Sequence, residues 1–262
     1  MPHLQSVQLE TKEKLPAESF PFQLPLVQNF RQMNFHAPVT FFVGENGTGK
    51  STLLESIASA ADAITIGSED PNPSGELANY MKLIWKVKFR KGFFLRADDF
   101  INYTKRLSVI RKDMQEELER VDSEYKDRSI MARNLARLPF KRSLAEMEEL
   151  YQEGLETRSH GESFLQFFHS RLRPNGLYLL DEPETPLSPL KQLSLISMLK
   201  EMTAQNCQFI IATHSPILMA FPDAAILSFD EHPVHEMSYD ELEHVKLTKS
   251  FLNNPEQFLK HL

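Results

Sequence analysis

The segment Gly44-Glu45-Asn46-Gly47-Thr48-Gly49-Lys50-Ser51 fits the phosphate-cradling loop G-x-x-x-x-G-K-[ST]. Such a loop must wrap a polyphosphate closely enough for its backbone N–H groups to point at oxygens. Glycines remove the side chains that would block that approach. In this pattern Lys50 reaches the β- and γ-phosphates, the Ser51 hydroxyl ligates Mg²⁺, and Thr52 lies beside them at the start of a helix. The flanks agree. Val39 to Val43 is a short β-branched and aromatic run, which predicts a buried strand. From Ser51 to Ala63, apolar residues at Leu53, Leu54, Ile57, Ala58 and Ala61 predict a helix whose N-terminus meets the phosphates with the positive end of its dipole.

The remaining strand signals extend this into an α/β fold. Leu177–Leu180, Phe209–Ala212 and Ala224–Phe229 predict strands, with a helix over Leu190–Thr203. Strands alternating with helices imply a mainly parallel sheet covered by helices. Residues 3–43 read as strands joined by Pro-punctuated connections, and Trp85, Val87 and Phe89 alternate with basic residues as a further strand. Between about Ile101 and Gln166 the pattern changes to long charged helices. Leu107, Ile110, Met114, Leu118, Val121 and Tyr125 form the seam of an amphipathic helix or a short helical hairpin. This predicts one nucleotide-binding unit over 1–262 with a helical part inserted at about 101–166.

Two strand ends carry candidate chemistry, because ligands of parallel α/β sheets bind beyond the carboxyl ends of the strands. Leu177-Tyr-Leu-Leu ends in Asp181 and Glu182: Asp181 suits the Mg²⁺ sphere, and Glu182 suits a base that takes a proton from the attacking water. His214 follows Phe209–Thr213 and suits a hydrogen bond to the γ-phosphate. Ser159 reads as the N-cap of a helix opening at His160-Gly161-Glu162.

Composition limits the alternatives. A net charge of −7 gives no global attraction for nucleic acid or anionic membrane. The single Cys207 excludes an intrachain disulfide and Cys-based zinc frameworks. No run reaches membrane-spanning length and no secretion signal opens the chain, so a soluble cytoplasmic protein is expected. Basic residues are dense over 80–96 and 101–142. Solvated helix and strand faces explain them better than a nucleic-acid strip.

The order of these motifs resembles the nucleotide-binding domain of the ATP-binding-cassette superfamily. More narrowly, it is similar to stand-alone predicted ATPases of the AAA label, related to repair and chromosome-maintenance ATPases. The Leu-Leu-Asp181-Glu182-Pro183-Glu184 run and the closing Phe251–Leu262 segment carry that narrower likeness. The resemblance implies that two copies sandwich two ATP molecules, with Ser159 and Gly161 of one copy contacting the γ-phosphate held by the other. Lys50, Ser51, Asp181, Glu182 and His214 then act in cis. His160 and Arg158 depart from the Leu-Ser-Gly-Gly-Gln signature, and Ser188 departs from the usual acid after Leu187. The glutamine that senses Mg²⁺ in that superfamily has no clear match; Arg96 or Asp98 stands near its place. Phe20 or Phe22 is a candidate for stacking on adenine. The implied function is a Mg²⁺-dependent ATPase working as an ATP-driven homodimer, with the helical part open to a protein partner. A slow nucleotide-dependent switch or clamp is the alternative, and a small-molecule kinase is disfavoured.

Overall fold

The computed structural model describes residues 2–10, 16, 19–67, 75–88, 91–151 and 160–260. Its centre is a sheet in the order β10-β9-β3-β8-β7-β6-β4. The strands are β3 (Val39–Val43), β4 (Ile64–Ile66), β6 (Gly92–Arg96), β7 (Leu177–Asp181), β8 (Gln208–Ala212), β9 (Ala225–Ser228) and β10 (His235–Glu236). All neighbours are parallel except the β9–β10 pair, which is antiparallel. The mainly parallel α/β sheet predicted from the motif order is therefore present.

Both faces of this sheet are covered, and the side-chain period of two divides the strand residues between them. Phe41, Phe93, Leu95, Tyr178, Leu180, Phe209 and Ile211 face one core. That core includes residues from α4 (Ala97–Glu124), α6 (His160–Arg171), α7 (Pro189–Ala204) and α8 (Pro216–Met219). Phe42, Phe94, Leu177, Leu179, Ile210 and Ala212 face the other, packed with α2 (Lys50–Ala60) and with β1 (Leu4–Leu9) and β2 (Gln32–Asn34). β1 and β2 join β5 (Met81–Trp85) in a separate antiparallel sheet of order β2-β1-β5. α1 (Pro25–Asn29) and α3 (Gly75–Ala78) fill the connections around it; α9 (Glu243–Asn253) and α10 (Pro255–Leu259) close the described chain.

Two local expectations differ from the structure. The 3–43 region is not strands alone, because Pro25 starts α1, where a fixed φ and a missing N–H cost nothing, and Leu26 and Val27 are buried beneath it. The strand expected at Trp85–Phe89 lies earlier. β5 pairs with β1, and its last partner is Leu4 opposite Trp85. The ladder stops as β1 stops, leaving Val87 54% exposed; Phe89 lies outside the described residues.

In the helical region, the predicted seam falls on α4 alone. Val121 is buried, Met114, Leu118 and Tyr125 are half-buried, and Ile110 is exposed; the Leu107 side chain lies outside the described ones. α4 packs against α5 (Ile130–Tyr151), and Arg133 Nε donates to Asp122 Oδ1 at 2.8 Å near their junction. An aromatic cluster of Phe93, Phe100, Phe164, Phe167 and Phe168 anchors the start of α4 and the whole of α6 on the sheet, with ring centroids 4.8 to 6.4 Å apart. Among the described residues, no helix is long and apolar enough to cross a membrane.

The two sheets are tied by one buried amide. Gln208, at the first position of β8, accepts from the His3 and Leu4 N–H groups through Oε1, each at 2.9 Å. Its Nε2 donates to the Leu4 carbonyl at 3.1 Å. Replacing it would remove three buried hydrogen bonds to backbone groups. Gln208→Leu is expected to lower stability by about 2–4 kcal/mol, read as a lower midpoint in urea unfolding with little change in slope. A midpoint equal to wild type would show that the amide does not join the sheets.

Candidate functional site

Parallel pairing brings the carboxyl ends of five strands to one edge. Phe42 lies opposite both Ala212 and Leu227, and Asp181 lies opposite Ala212 and Arg96. The phosphate-type loop leaves β3 there and enters α2. Its glycines are needed for two different reasons. Gly44 has φ +140°, and a Cβ there would lie 2.9 Å from Asp230 Oδ1. Gly49, φ +95°, turns the chain into α2, where a Cβ would meet the Leu26 side chain at 2.8 Å. Glu45, Asn46 and Gly47 are exposed at the loop tip, and Thr48 Oγ1 donates to the Glu45 carbonyl at 2.9 Å. Lys50 is buried and donates through Nζ to the Gly44 and Glu45 carbonyls at 2.6 and 2.8 Å. Burial pulls the Lys50 pKa down, while Glu182, Asp230, Asp181 and Glu45 oppose the fall.

Ser51 and Asp181, 130 residues apart in sequence, meet directly: Ser51 Oγ donates to Asp181 Oδ1 at 2.9 Å. Thr52, half-buried, follows in the first turn of α2. Burial raises the Asp181 pKa, opposed first by the Arg96 charge and then by the Ser51 hydrogen bond. Glu182 takes φ +49°, uncommon for a residue that is neither glycine nor Asx; the other described non-glycine residues with positive φ are Asp or Asn. Its N–H donates to the Ala212 carbonyl at 2.9 Å, one rung beyond the Asp181–Ala212 pair, and its side chain is 44% exposed. His214 Nε2 lies 3.9 Å from Glu182 Oε1. Lys50, Ser51, Asp181, Glu182 and His214 therefore form one cluster.

The signature segment is only partly described. Ser159 lies outside the described residues, and α6 begins at His160. Gly161 is buried in its first turn, where a Cβ would lie 2.7 Å from the Pro186 carbonyl and 2.9 Å from Lys191 Cδ. The glycine thus lets α6 close onto the turn that follows Glu182. Of the two rings considered for adenine, Phe22 is buried edge-on to Tyr80, whereas Phe20 is 46% exposed.

A family model described as an AAA domain matches residues 20–160, more than half of the chain. The chain belongs to the AAA domain family. A second model, "AAA domain, putative AbiEii toxin, Type IV TA system", matches residues 161–220, the stretch from Gly161 through Asp181 and Glu182 to His214. No curated protein matches this AAA domain. Among solved structures it is similar to cbiO1 from Clostridium perfringens, part of the ABC transporter complex cbiONQ. The identity is 16%, all of both chains is covered (100% and 100%), and the TM-score is 0.50. It is also similar to the SMC head domain from Thermotoga maritima, with 17% identity, 90% of this chain and 98% of that chain covered, and a TM-score of 0.43. The fold is that of an ABC-type P-loop ATPase.

Around the cluster of this AAA domain stand partners that sequence reading did not single out. Asp230, just past β9, accepts from the Glu45 N–H at 2.6 Å. Glu184 accepts from the His214 N–H at 2.7 Å and so fixes the chain after β8 to the turn after β7. Glu55, on α2, pairs with Arg96. A usable signal existed for Asp230, since it follows a fourth strand end on the same sheet edge. Arg96 is engaged with carboxylates, while Asp98 is exposed in the first turn of α4.

Burial pushes the Glu184 pKa up against hydrogen bonds from Thr213 and the His214 N–H. A carboxyl whose folded pKa is raised contributes stability below its unfolded pKa, and that contribution is lost as pH rises through the folded value. Glu184→Gln keeps an acceptor for the His214 N–H and cannot ionise. Relative to this variant, the wild type should lose thermal stability as pH rises above the ordinary carboxylate range. Parallel melting curves over that rise would contradict the assignment.

Proposed function

We propose that this AAA domain binds Mg²⁺·ATP at Gly44–Thr52 and hydrolyses it. The observation that carries the reading is the 2.9 Å contact between Ser51 Oγ and Asp181 Oδ1, with Glu182 as the next residue on the same strand end. Hydroxyl and carboxylate oxygens suit a hard cation. Mg²⁺ commonly takes only one or two carboxylates from a protein and the rest of its shell from phosphates and water. Ser51 and Asp181 would hold it, and when bound it neutralises charge on the phosphates.

The chain's own residues do the rest. Lys50 and the loop N–H groups bind and orient the phosphates. Glu182, half-exposed at the strand end, accepts the proton of the attacking water. His214, next to Glu182 and held through its N–H by Glu184, hydrogen-bonds the γ-phosphate. Positioning and charge stabilisation supply most of such catalysis, because phosphoryl transfer asks for little covalent help.

The whole chain acts, in this reading, as one nucleotide-binding unit with the helical part at about 101–166 inserted in it. Two copies close over two nucleotides, and the Ser159–Gly161 segment of one faces the phosphate loop of the other. Packing of Gly161 on Pro186 supports this, because it sets the start of α6 beside the turn that carries Glu182. The helical part is the surface offered to a protein partner.

Two variants test the reading. Lys50→Ala should weaken ATP binding by at least about a hundredfold in a folded protein; unchanged affinity would remove the loop from nucleotide binding. Glu182→Gln should bind ATP, fail to release phosphate, and double its molar mass in solution with ATP and Mg²⁺. A variant that binds ATP but stays monomeric would exclude the shared site.

A further inference from the structure

β6 and β7 run in parallel with Arg96 opposite Asp181, so a strand-end guanidinium falls beside a strand-end carboxylate. Arg96 Nε donates to Asp181 Oδ2 at 3.2 Å, and its NH2 nitrogen pairs with Glu55 of α2. Both carboxylates are shielded, with side-chain exposures of 4% for Asp181 and 9% for Glu55. The two oxygens of Asp181 are therefore divided: Oδ1 takes the Ser51 hydroxyl, and Oδ2 takes the guanidinium.

A guanidinium offers five N–H donors and no lone pair. It cannot enter a metal's coordination sphere, and it stays charged at any working pH. Beside Asp181 it is a rival for the same carboxylate, and its charge opposes a divalent cation a few ångströms away even with solvent screening. We propose that Arg96 competes with Mg²⁺ for Asp181 and thereby limits how much the metal adds to nucleotide binding. The inference rests on the assignment of Asp181 to the metal. Arg96 immediately precedes Ala97, the first residue of α4, so displacement of the guanidinium is felt where the α4–α5 pair is rooted. Glu55, a buried carboxylate paired with the same guanidinium, keeps hold of the displaced side chain.

The readout is ATP affinity by calorimetry, with Mg²⁺ and separately in EDTA. Their ratio is the metal's affinity for the nucleotide-bound protein relative to its affinity for free ATP, and it needs no turnover. Arg96→Gln should raise this ratio by about tenfold, through tighter binding in Mg²⁺. Arg96→Lys, which keeps the charge, should stay near wild type. The double variant Glu55→Gln/Arg96→Gln, which removes both members of the pair together, should repeat the rise, and melting curves show that each variant is folded. A ratio that stays constant or falls in Arg96→Gln and in the double variant overturns the competition. So does a rise caused only by weaker binding in EDTA, which would make Arg96 a phosphate ligand. Asp181→Asn separates the two claims. If it collapses the ratio while the Arg96 variants do not raise it, the metal site stands and the competition falls. If it leaves the ratio unchanged, the metal assignment itself fails.

Discussion

Parallel pairing of β3, β8, β7 and β6 is the constraint on which the rest of this AAA domain depends. In a parallel ladder all strands finish at the same edge, and here Val43, Ala212, Asp181 and Arg96 finish within a residue or so of one another in register. Everything chemical leaves from that edge: the phosphate-type loop from β3, Glu182 from β7, Thr213 and His214 from β8, Asp230 from β9. Burial of both sheet faces fixes this alignment. A slip of one residue would carry Phe41, Tyr178 and Ile211 out of one core and into the other.

The edge gathers charge that would be costly if unpaired. Lys50 is buried beside Asp181, Glu182, Asp230 and Glu45, and two of its three ammonium donors go to loop carbonyls. Asp181 is shared between a hydroxyl and a guanidinium, and Glu184 accepts from the His214 N–H through Oε1 while its Oε2 is buried without a hydrogen-bond partner among the described residues. Glu182 is the exception. It is half-exposed, sits at positive φ, and is free to face a ligand. Backbone strain of this kind costs about 1–3 kcal/mol and persists where surrounding structure over-determines it. Here the Glu182 N–H bond to Ala212 on one side and the Glu184–His214 bond on the other do so.

From this edge the structure reaches outward along two routes. One runs from Asp181 through Arg96 into α4, whose first turn is pinned by Phe100 against Phe164 and Phe167. The other runs from Glu182 along the turn to Pro186, on which Gly161 lets α6 close. Both routes end in helices that bury aromatic residues at their sheet ends. Farther out, α5 leaves Ile130, Met131, Leu135 and Leu138 exposed. The helical region is thus packed through aromatic rings at its base and exposes apolar side chains over the first part of α5.

Local sequence was enough to identify the loop from Gly44 to Ser51, because its glycines, its lysine and the flanking strand and helix are contiguous. Asp181, Glu182 and His214 were legible for the same reason: each ends an apolar strand, and strand ends in a parallel sheet share an edge. Other features were beyond the reach of local pattern. β5 stops at Trp85 because its partner β1 begins at Leu4, although the alternation continues in the sequence. Gln208 meets Leu4 across 204 residues, Asp230 meets Glu45 across 185, and Arg96 meets Asp181 across 85. Sequence by itself determined which residues stand at the strand ends where phosphate chemistry is proposed and what fold can hold them, since both are written in neighbouring residues. Tertiary structure alone decided which charges neutralise one another at the site, because strand register, and not chain proximity, sets those distances.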